Sequence, residues 1–397
     1  MSGTNSIGEA PVAVPPARPW DRVIRGLGGG LQGVARPVVA SALAVIVGGI
    51  IMLVLGDNPL TAYGILLAGA FQGRASIFTT LQFTTPLIFT GLAVAFSFRA
   101  GIWNIGAEGQ MLFGAFFAAE AGYMLRLPAP IHLPVAFLCG MVGAVLWALI
   151  PGLLRALLGI NELVVCLMLN PMALLLTSYL SDYPFKAPGP TNKTYDIQPT
   201  AQLAQLTPYS QLNAGIFLAV AMAVLLLAFW GLTARGYEFK MIGLNVLFAR
   251  YGGLNVARGL ILAMVISGAI AGMAGSEEAL GVYHAYYDGF SPGYGNDGIA
   301  IAMLAKNNPL GVVVAALLLG ALNSGGQQLQ MQSNITKDLV TLLQAVIIFF
   351  LAAEFTYTRL RLRRKGRDVT VVVPAAPHTA WELQEQQEQE ERDESRV

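Results

Sequence analysis

The chain alternates between long apolar segments and short polar ones, and the apolar segments set the expected architecture. A helix needs about 20 apolar residues to cross the hydrocarbon core of a bilayer. Ten segments approach that length, near residues 37–55, 80–98, 104–125, 131–153, 160–180, 213–233, 259–280, 296–306, 309–328 and 338–356. This pattern predicts an all-α polytopic membrane protein with about ten transmembrane helices.

The segment 296–306 is too short for an ordinary crossing. Gly295 and Gly298 stand near its start, and Pro309 follows its end. Glycine and proline at such positions are typical of discontinuous helices that are lined by protein rather than by lipid. We therefore expect one short or broken helix within the set.

The distribution of lysine and arginine predicts that both ends of the chain are cytoplasmic, because cytoplasmic loops retain positive charge. The side assigned to the cytoplasm contains Arg18, Arg22, Arg25, Arg36, Arg99, Arg155, Arg235, Lys240, Arg250, Arg258, Lys306 and the basic run 359–367. The other side contains only Arg74, Arg126, Lys186, Lys193 and Lys337. The orientation is therefore N-in and C-in, provided that the short segment is a crossing.

Three parts of the chain follow from this division. Residues 1–36 form a cytoplasmic N-terminal tail, and residues 37–356 form the transmembrane domain. Residues 357–397 begin with basic residues and continue as the tract "ELQEQQEQEERDESRV". Since this tract has few apolar residues to bury, we expect it to be disordered.

Composition agrees with a membrane protein. Of the 397 residues, 55% are hydrophobic and 12% are charged, whereas soluble domains have about 25% charged residues. The formal net charge of +1 gives no sign of a nucleic-acid partner, because it sums basic loops and an acidic C-terminus.

The sequence offers no metal site, catalytic centre or cofactor motif. Cys139 and Cys166 lie far apart inside apolar segments, where cysteine usually packs as a small hydrophobic residue. The histidines His132, His284 and His378 are scattered and form no HExxH pattern. A GxxxxGK[ST] phosphate loop is also missing from the sequence. If transport uses ATP, a partner subunit must bind it.

Polar residues inside the apolar segments are the candidates for function. An ionisable group at the bilayer centre costs about 2.5 to 3.5 kcal/mol on insertion scales, so it usually faces the protein interior or a water-filled cavity. Asn104 and Glu108 share a helix face, and Glu108 stands between Gly106 and Gly109. This glutamate therefore has two interpretations, a pathway residue or a packing residue bonded to neighbouring backbone.

Two further groups have similar alternatives. Glu162 and Asn170 lie eight residues apart, and Glu162 also fits the first turn of a helix, where the helix dipole favours a carboxylate. Glu277 and Glu278 follow the glycine-rich run "SGAIAGMAG", whose spacing is typical of closely packed membrane helices. We expect at least one of these two glutamates to lie at the outer water interface.

The polar segment between the sixth and seventh spans is basic and partly apolar. Residues 243–251 predict a short surface helix with Leu244, Leu247, Phe248 and Tyr251 on one side. Such a helix could lie on anionic lipid or dock a soluble cytoplasmic partner. The spacing favours neither.

Four blocks give the chain a family resemblance: "FSFRAGIWNIGAEGQMLFGA", "GINELVVCLMLNPMALLL", "GLNVLFARYGG" and "GNDGIAIAMLAKNNPLGVVVAALLLGAL". In this order they resemble permease subunits of ATP-binding-cassette (ABC) importers for nucleosides and simple sugars, within the branched-chain amino acid and ribose permease group. The resemblance covers about residues 37–356.

The resemblance implies a permease that translocates nucleosides or related simple sugars across the bacterial plasma membrane by alternating access. The implied partners are a cytoplasmic ABC ATPase, a second and paralogous permease subunit, and an external substrate-binding lipoprotein. ATP would be used by the ATPase subunit, and this chain would be no enzyme.

The resemblance also suggests roles for individual residues. The implied ATPase-coupling residues are Gly243, Leu244, Asn245, Phe248, Arg250 and Tyr251. Amide and carboxylate side chains can pair with a nucleoside, which makes substrate-pathway candidates of Asn104, Glu108, Gln110, Asn161, Glu162, Asn170 and Asp297.

Two other classes compete with this interpretation. An ion-coupled secondary transporter of a small polar solute would also contain membrane-embedded carboxylates and broken helices, but would need no ATPase. An intramembrane transferase would need clustered acidic residues to bind a metal-bound diphosphate. Only Asp288 and Asp297 approach such a cluster, and their nine-residue spacing among glycines suggests a turn.

Overall fold

The structure, a computed structural model, describes residues 45–54, 58–333, 340–342, 344–346 and 349. The two predicted tails, 1–36 and 357–397, lie outside the described residues, as does much of the predicted span 338–356. The division into three parts and the expected disorder of the C-terminal tract therefore stay predictions.

The regular secondary structure of the described residues is helical, with three isolated β-bridges in the loops. The helices are α1 Val45–Val54, α2 Pro59–Phe71, α3 Gly73–Arg99, α4 Ala107–Met124, α5 Ala129–Leu158, α6 Glu162–Asp182, α7 Gly215–Leu232, α8 Ala234–Leu244, α9 Val246–Tyr251, α10 Val256–Glu277, α11 Tyr294–Leu304 and α12 Pro309–Gln332. Helix α10 continues as a π-helix over Glu278–Tyr283.

Polar N-cap residues explain where several helices begin. In each case a side-chain oxygen accepts a hydrogen bond from a backbone N–H of the first turn, which would otherwise have no partner. These caps are Asn58, Asn161, Thr233, Asn245, Asn255 and Asn308. Pro59 and Pro309 stand at the first position of their helices, where proline removes no hydrogen bond.

Six of the described helices are long and apolar enough to cross a membrane: α3, α5, α6, α7, α10 with its π-helical end, and α12. The polytopic helical architecture is thus confirmed in outline. The number of about ten crossings and the N-in, C-in orientation stay predictions. Helix α2, at Pro59–Phe71, was missed because its 13 apolar residues are shorter than a crossing.

Helix α4 lies at the centre of the bundle, although its polar residues make it less apolar than its neighbours. It packs against α3, α5, α6, α10 and α11. Its contact with α10 is very close, since a Cβ atom placed on Gly114 would lie 2.7 Å from Cα of Gly272. The glycine-rich run of α10 therefore packs tightly, as its sequence predicted.

The bundle has two chemically different ends. At one end, Arg99 lies over the Trp230 ring at 4.8 Å, and Arg155 pairs with Glu162; we call this the basic end. The other end is covered by residues 183–214, which we call the cap. Gln198 in the cap donates hydrogen bonds to the carbonyls of Tyr123 and Leu125 at the end of α4.

The predicted surface helix over residues 243–251 is wrong in its bounds. Gly243 and Leu244 end α8, Asn245 is extended, and α9 begins at Val246. Asn245 causes this division because its side chain accepts the N–H of Phe248 and caps the second helix.

Candidate functional site

Asn104, Gln110 and Ser267 form a closed hydrogen-bonded group, which we call the amide cluster. The Asn104 amide donates to Oε1 of Gln110 at 2.8 Å and to Oγ of Ser267 at 2.8 Å. Its Oδ1 accepts from Nε2 of Gln110 and from the backbone N–H of Gly106. An asparagine amide has two donors and two acceptor positions, so Asn104 is fully satisfied.

The amide cluster joins three helices and is buried. Ser267 lies on α10 and donates to the carbonyl of Ala93 on α3 at 2.6 Å, while Gln110 lies on α4. Asn104 and Ser267 have no exposed surface, and Gln110 is 1% exposed. Asn104 lies in the α3–α4 linker, before α4 begins, so the expectation that it shares a helix face with Glu108 is wrong. The satisfied group fastens this linker to the bundle.

Glu108 holds the start of α11. Its two carboxylate oxygens accept hydrogen bonds from Oγ of Ser291 and from the backbone N–H of Gly295, both at 2.6 Å. A carboxylate is favourable at this position because the first N–H groups of a helix carry partial positive charge. Glu108 thus connects the beginning of α4 with the beginning of the short helix α11.

Asn170 connects α6 to the same region of α4. Its amide donates to the carbonyl of Ile105 at 3.0 Å, and its Oδ1 accepts from the N–H of Gly109 at 3.1 Å. Asn170 therefore lies beside the segment around Glu108. The contact itself is a side chain bonded to backbone.

Asn161 and Glu162 lie at the start of α6, at the basic end. Asn161 is exposed and caps the helix by accepting the N–H of Leu163. Glu162 is buried, pairs with Nε of Arg155 at 3.2 Å and accepts the N–H of Trp103 at 3.2 Å. The interpretation of Glu162 as a first-turn residue agrees with this placement.

Asp297 lies in the first turn of α11, apart from the amide cluster. It forms a side-chain hydrogen bond with Asn323 of α12, whose Oδ1 accepts a hydrogen bond from Gln344 at 2.8 Å. The seven predicted pathway residues therefore do not form one site. They lie in several separate hydrogen-bonded contacts, and their roles in substrate passage stay predictions.

A cavity of about 480 Å³ opens near the cap, and we call it the polar cavity. It lies between α3, the π-helix, the segment that follows it and α12. Its walls are Gln82, Phe83, Gln211, Glu278, Val282, Tyr283, Gly289, Phe290, Pro292, Tyr294 and Gln327. Five of these residues are exposed and form its rim: Gln211, Tyr283, Gly289, Pro292 and Gln327. This volume lies within the usual range of small-molecule sites.

Glu278 is the one carboxylate among the wall residues of the polar cavity. Its side chain is 2% exposed, and it has no hydrogen-bond partner among the described residues. The π-helix begins at this residue, and π-helical turns occur often at functional sites.

Glu277, the preceding residue, is oriented differently and is bonded within the chain. Its Oε1 accepts from the Asn213 amide at 2.7 Å, and Asn213 in turn accepts the N–H of Gly215 at the start of α7. Both glutamates are buried, so the expectation that one lies at an outer water interface is wrong. Glu277 packs against the start of α7, where a Cβ atom on Gly215 would collide with Cγ of Glu277.

Aromatic rings form one wall of the polar cavity. Phe290 packs edge-to-face against Tyr283 at 5.7 Å and against Tyr286 at 5.4 Å between ring centroids. Tyr286 is held in place because its hydroxyl donates to Oγ1 of Thr177 at 2.8 Å. The rings therefore form a rigid apolar surface beside the polar groups Gln82 and Glu278.

The polar cavity contains none of the seven predicted pathway residues. The sequence did single out Glu278, as part of a glutamate pair after a glycine-rich run, but in the segment that follows it singled out only Asp288 and Asp297 and not the aromatic residues of the cavity wall. Nothing in the sequence links these to Gln82, which stands inside the apolar run "FTTLQFTTP" of α3. That link depends on long-range packing.

The α8–α9 surface at the basic end contacts the linker that holds the amide cluster. Gly101 has a left-handed backbone with φ of +85°, and a Cβ atom on it would lie 2.7 Å from Cα of Gly243. A side chain on Gly243 would in turn collide with the backbone carbonyl of Arg99. The two backbones touch directly, so displacement of α8 must displace the α3–α4 linker.

The outer side of this surface is apolar and exposed. Leu244 is 50% exposed, Phe248 is 61% exposed and Tyr251 is 91% exposed, whereas Ala249 is buried against the bundle. Asn245 and Arg250 are also exposed. All six predicted coupling residues thus lie in one continuous segment, and their coupling role stays a prediction.

Comparisons with known proteins agree with these features. Residues 76–352 match the family described as the permease component of branched-chain amino acid transport systems. No solved structure matches the chain.

Three relatives extend over most of the chain. It is 36% identical to the guanosine ABC transporter permease protein NupP of Bacillus subtilis, over 83% of this chain and 97% of the relative. It is 33% identical to the nucleoside ABC transporter permease protein NupB of Lactococcus lactis, over 80% of this chain and 90% of the relative. It is 32% identical to a glucose ABC transporter permease protein of Haloferax volcanii, over 84% of this chain and 91% of the relative.

Proposed function

The chain belongs to the family of permease components of branched-chain amino acid transport systems, and from this premise we propose that its substrate is a nucleoside. As a member of this family it is a multi-pass membrane subunit of an ABC importer, and it transports rather than catalyses a reaction. An ion-coupled secondary transporter is not favoured by this membership.

The polar cavity is the observation that carries the nucleoside proposal. A nucleoside is neutral, with hydroxyls and base edges that form hydrogen bonds and a flat base that stacks on aromatic rings. The polar cavity offers Gln82, Gln327 and Glu278 beside Phe83, Phe290 and Tyr294. The relatives named for guanosine and nucleosides support the same substrate class.

The proposed mechanism is alternating access between two permease subunits. Substrate enters from the cap end into the polar cavity, and closure of the ATPase subunits changes which end of the pathway is open. The partners in this proposal are a cytoplasmic ABC ATPase, a second paralogous permease and an external substrate-binding lipoprotein. ATP acts only in the ATPase subunit.

The orientation in this proposal places the basic end in the cytoplasm of a bacterium and the cap outside its inner membrane. The arginines Arg99, Arg155 and Arg250 at the basic end support it through the positive-inside rule. The chain is then N-in and C-in. Glu108 and the other pathway residues predicted from the sequence act in this scheme as hinge or gate residues.

Uptake by the reconstituted transporter tests the substrate. The complete complex, with its ATPase and binding protein, is placed in proteoliposomes with ATP inside and radiolabelled guanosine outside. We expect ATP-dependent uptake that unlabelled nucleosides suppress and that glucose and ribose do not. ATP-dependent glucose uptake without nucleoside uptake would contradict the proposal.

The α8–α9 surface is proposed to dock the ATPase. The exposed side chains of Phe248 and Arg250 support this role, because a cytoplasmic partner would cover an otherwise exposed apolar surface. In reconstituted vesicles, Phe248→Ala and Arg250→Ala should leave ATP hydrolysis intact but reduce uptake at least tenfold. Arg126→Ala, an exposed arginine at the cap end, is the control and should transport normally.

If Phe248→Ala and Arg250→Ala transport as well as Arg126→Ala, the α8–α9 surface does not couple the two subunits. Membrane insertion is measured in parallel by protease protection. A loss of insertion would assign these side chains to folding instead.

A further inference from the structure

We propose that Glu278 determines substrate specificity by accepting two adjacent hydrogen bonds from a nucleoside in the polar cavity. This inference rests on the proposed function, since it assigns a chemical requirement to the same cavity. The ligand class is a nucleoside that presents two neighbouring N–H or O–H donors.

The first argument is the incomplete bonding of Glu278. Its side chain is 98% buried, it lines the polar cavity, and within the described part of the chain no donor reaches it. A buried polar group without a partner costs stability, and it costs more when it is charged. A ligand that supplies donors removes this cost and gains affinity from it.

The second argument is the contrast with the neighbouring residue. Glu277 is equally buried, but its Oε1 receives the Asn213 amide at 2.7 Å. Among the described residues, Oε1 of Glu277 thus has a side-chain donor while its Oε2 has none, and Glu278 has no donor on either oxygen. Glu278 lines the polar cavity at the point where the π-helical turn begins, whereas Glu277 is not part of its wall.

The third argument concerns the kind of donor. The remaining cavity wall contains aromatic rings and neutral amides, and Oε1 of Gln82 already accepts the backbone N–H of Gln211 at 3.0 Å. A bound metal cation would need several ligands, and no group of three or more His, Cys, Asp or Glu side chains that could hold one occurs among the described residues. A neutral ligand with a flat ring and paired donors fits both the rings and the carboxylate.

Two parts of a nucleoside can present such a pair. Guanine offers its N1–H and 2-amino group side by side, and ribose offers its 2′ and 3′ hydroxyls. Inosine keeps the ribose pair but lacks the 2-amino group. 2′,3′-Dideoxyguanosine keeps the two adjacent donors of the guanine base but lacks the ribose hydroxyls. 2′,3′-Dideoxyadenosine lacks both pairs.

The first test measures equilibrium binding of these nucleosides to the reconstituted permease–ATPase complex without the binding protein. If Glu278 accepts its two hydrogen bonds from the base, guanosine and 2′,3′-dideoxyguanosine bind at least tenfold more tightly than inosine. If Glu278 accepts them from the ribose hydroxyls, guanosine and inosine bind at least tenfold more tightly than both dideoxynucleosides. In either case Glu278→Gln should remove the preference, because an amide offers one acceptor and one donor group.

The matched control is Glu120→Gln. Glu120 is also a buried carboxyl group, 8% exposed, and it is not part of the polar cavity wall. This variant should keep the wild-type preference. If Glu278→Gln keeps the same preference as Glu120→Gln, the proposal is overturned.

A second measurement uses the wild-type chain and does not depend on the folding of a variant. A hydrophobic carbodiimide modifies buried carboxyl groups, and mass spectrometry reports the modified fraction of Glu278. Guanosine should slow the modification of Glu278 at least fivefold, whereas 2′,3′-dideoxyadenosine should not. Equal protection by both nucleosides would overturn the proposal.

The two measurements separate this proposal from the nucleoside proposal itself. A wild-type complex that takes up no nucleoside contradicts the proposed function. A complex that takes up nucleosides but shows neither preference nor selective protection at Glu278 contradicts this inference alone.

Discussion

The amide cluster and the polar cavity both bury polar side chains in a membrane protein, but they differ in whether those side chains have hydrogen-bond partners within the protein. Asn104 uses all four of its hydrogen-bonding positions on Gln110, Ser267 and Gly106. Glu278 in the polar cavity uses none within the described residues. Burial alone therefore does not distinguish structural from functional polar groups.

The completeness of bonding is the useful distinction. A satisfied buried cluster fixes the geometry of the helices that contribute to it. An unsatisfied buried group beside an open volume costs stability until a ligand binds, so it marks a place where a ligand gains affinity. On this basis we interpret the amide cluster as a structural joint and the polar cavity as the proposed substrate site.

The largest effect is expected for the joint. Asn104→Leu leaves the Gln110 amide, the Ser267 hydroxyl and the Gly106 N–H with lost partners, so we expect a loss of about 3 kcal/mol or more in stability. Thermal unfolding of the purified complex in detergent should show this. Gln327→Leu, a change in the polar cavity wall, should leave the unfolding temperature nearly unchanged. Equal unfolding temperatures for both variants would remove the distinction.

The next effect concerns the connection between the joint and the α8–α9 surface. Gly243→Val places a side chain against the backbone carbonyl of Arg99, so α8 must move away from the α3–α4 linker. We expect ATP-driven uptake to fall at least tenfold, while nucleoside binding at the polar cavity stays within twofold. Uptake and binding are measured on the same proteoliposomes. A parallel loss of binding would show that the two regions are not separate.

A smaller effect is expected at Glu108, which lies between the two regions. Glu108→Gln replaces one of its acceptor oxygens with an amide NH₂ group, which donates and does not accept, so one of the bonds to Ser291 and Gly295 is lost. The expected result is a several-fold lower uptake rate at an unchanged KM, measured with radiolabelled nucleoside. If uptake and assembly both remain at wild-type levels, the start of α11 has no part in gating.

The smallest effect is expected at Asn161. This exposed cap accepts the N–H of Leu163, and Asn161→Ala should cost about 1 kcal/mol of stability without altering the KM for nucleoside. Denaturation and uptake assays report the two quantities. A changed KM would show that Asn161 contributes to the substrate pathway.

The architecture was predictable from the sequence because hydropathy and helix caps are local signals. The predicted spans 131–153 and 160–180 correspond to α5 and α6, and the short segment 296–306 corresponds to α11. Helix α2 was not predictable by a length rule, because its 13 residues fall below the length of a crossing. The division between α8 and α9 depends on the capping bond of Asn245.

The site was less predictable for a physical reason. The sequence shows which residues are polar, but it does not show which of them find partners within the chain. Asn104 and Glu278 are both polar residues in apolar surroundings, and only tertiary contacts distinguish them. Gln82 contributes to the polar cavity only because α3 packs against the cap and α12.

The most direct test compares the two regions in one experiment. Single cysteines are introduced as Gln82→Cys and Ser267→Cys in a chain whose native Cys139 and Cys166 are replaced by alanine, and the assembled complex is treated with a membrane-impermeant thiol reagent. We predict that Gln82→Cys reacts and that guanosine slows its reaction at least fivefold, while Ser267→Cys stays unreactive. Reaction of Ser267→Cys at a comparable rate, or no protection of Gln82→Cys by guanosine, would contradict the assignment of the polar cavity as the substrate site.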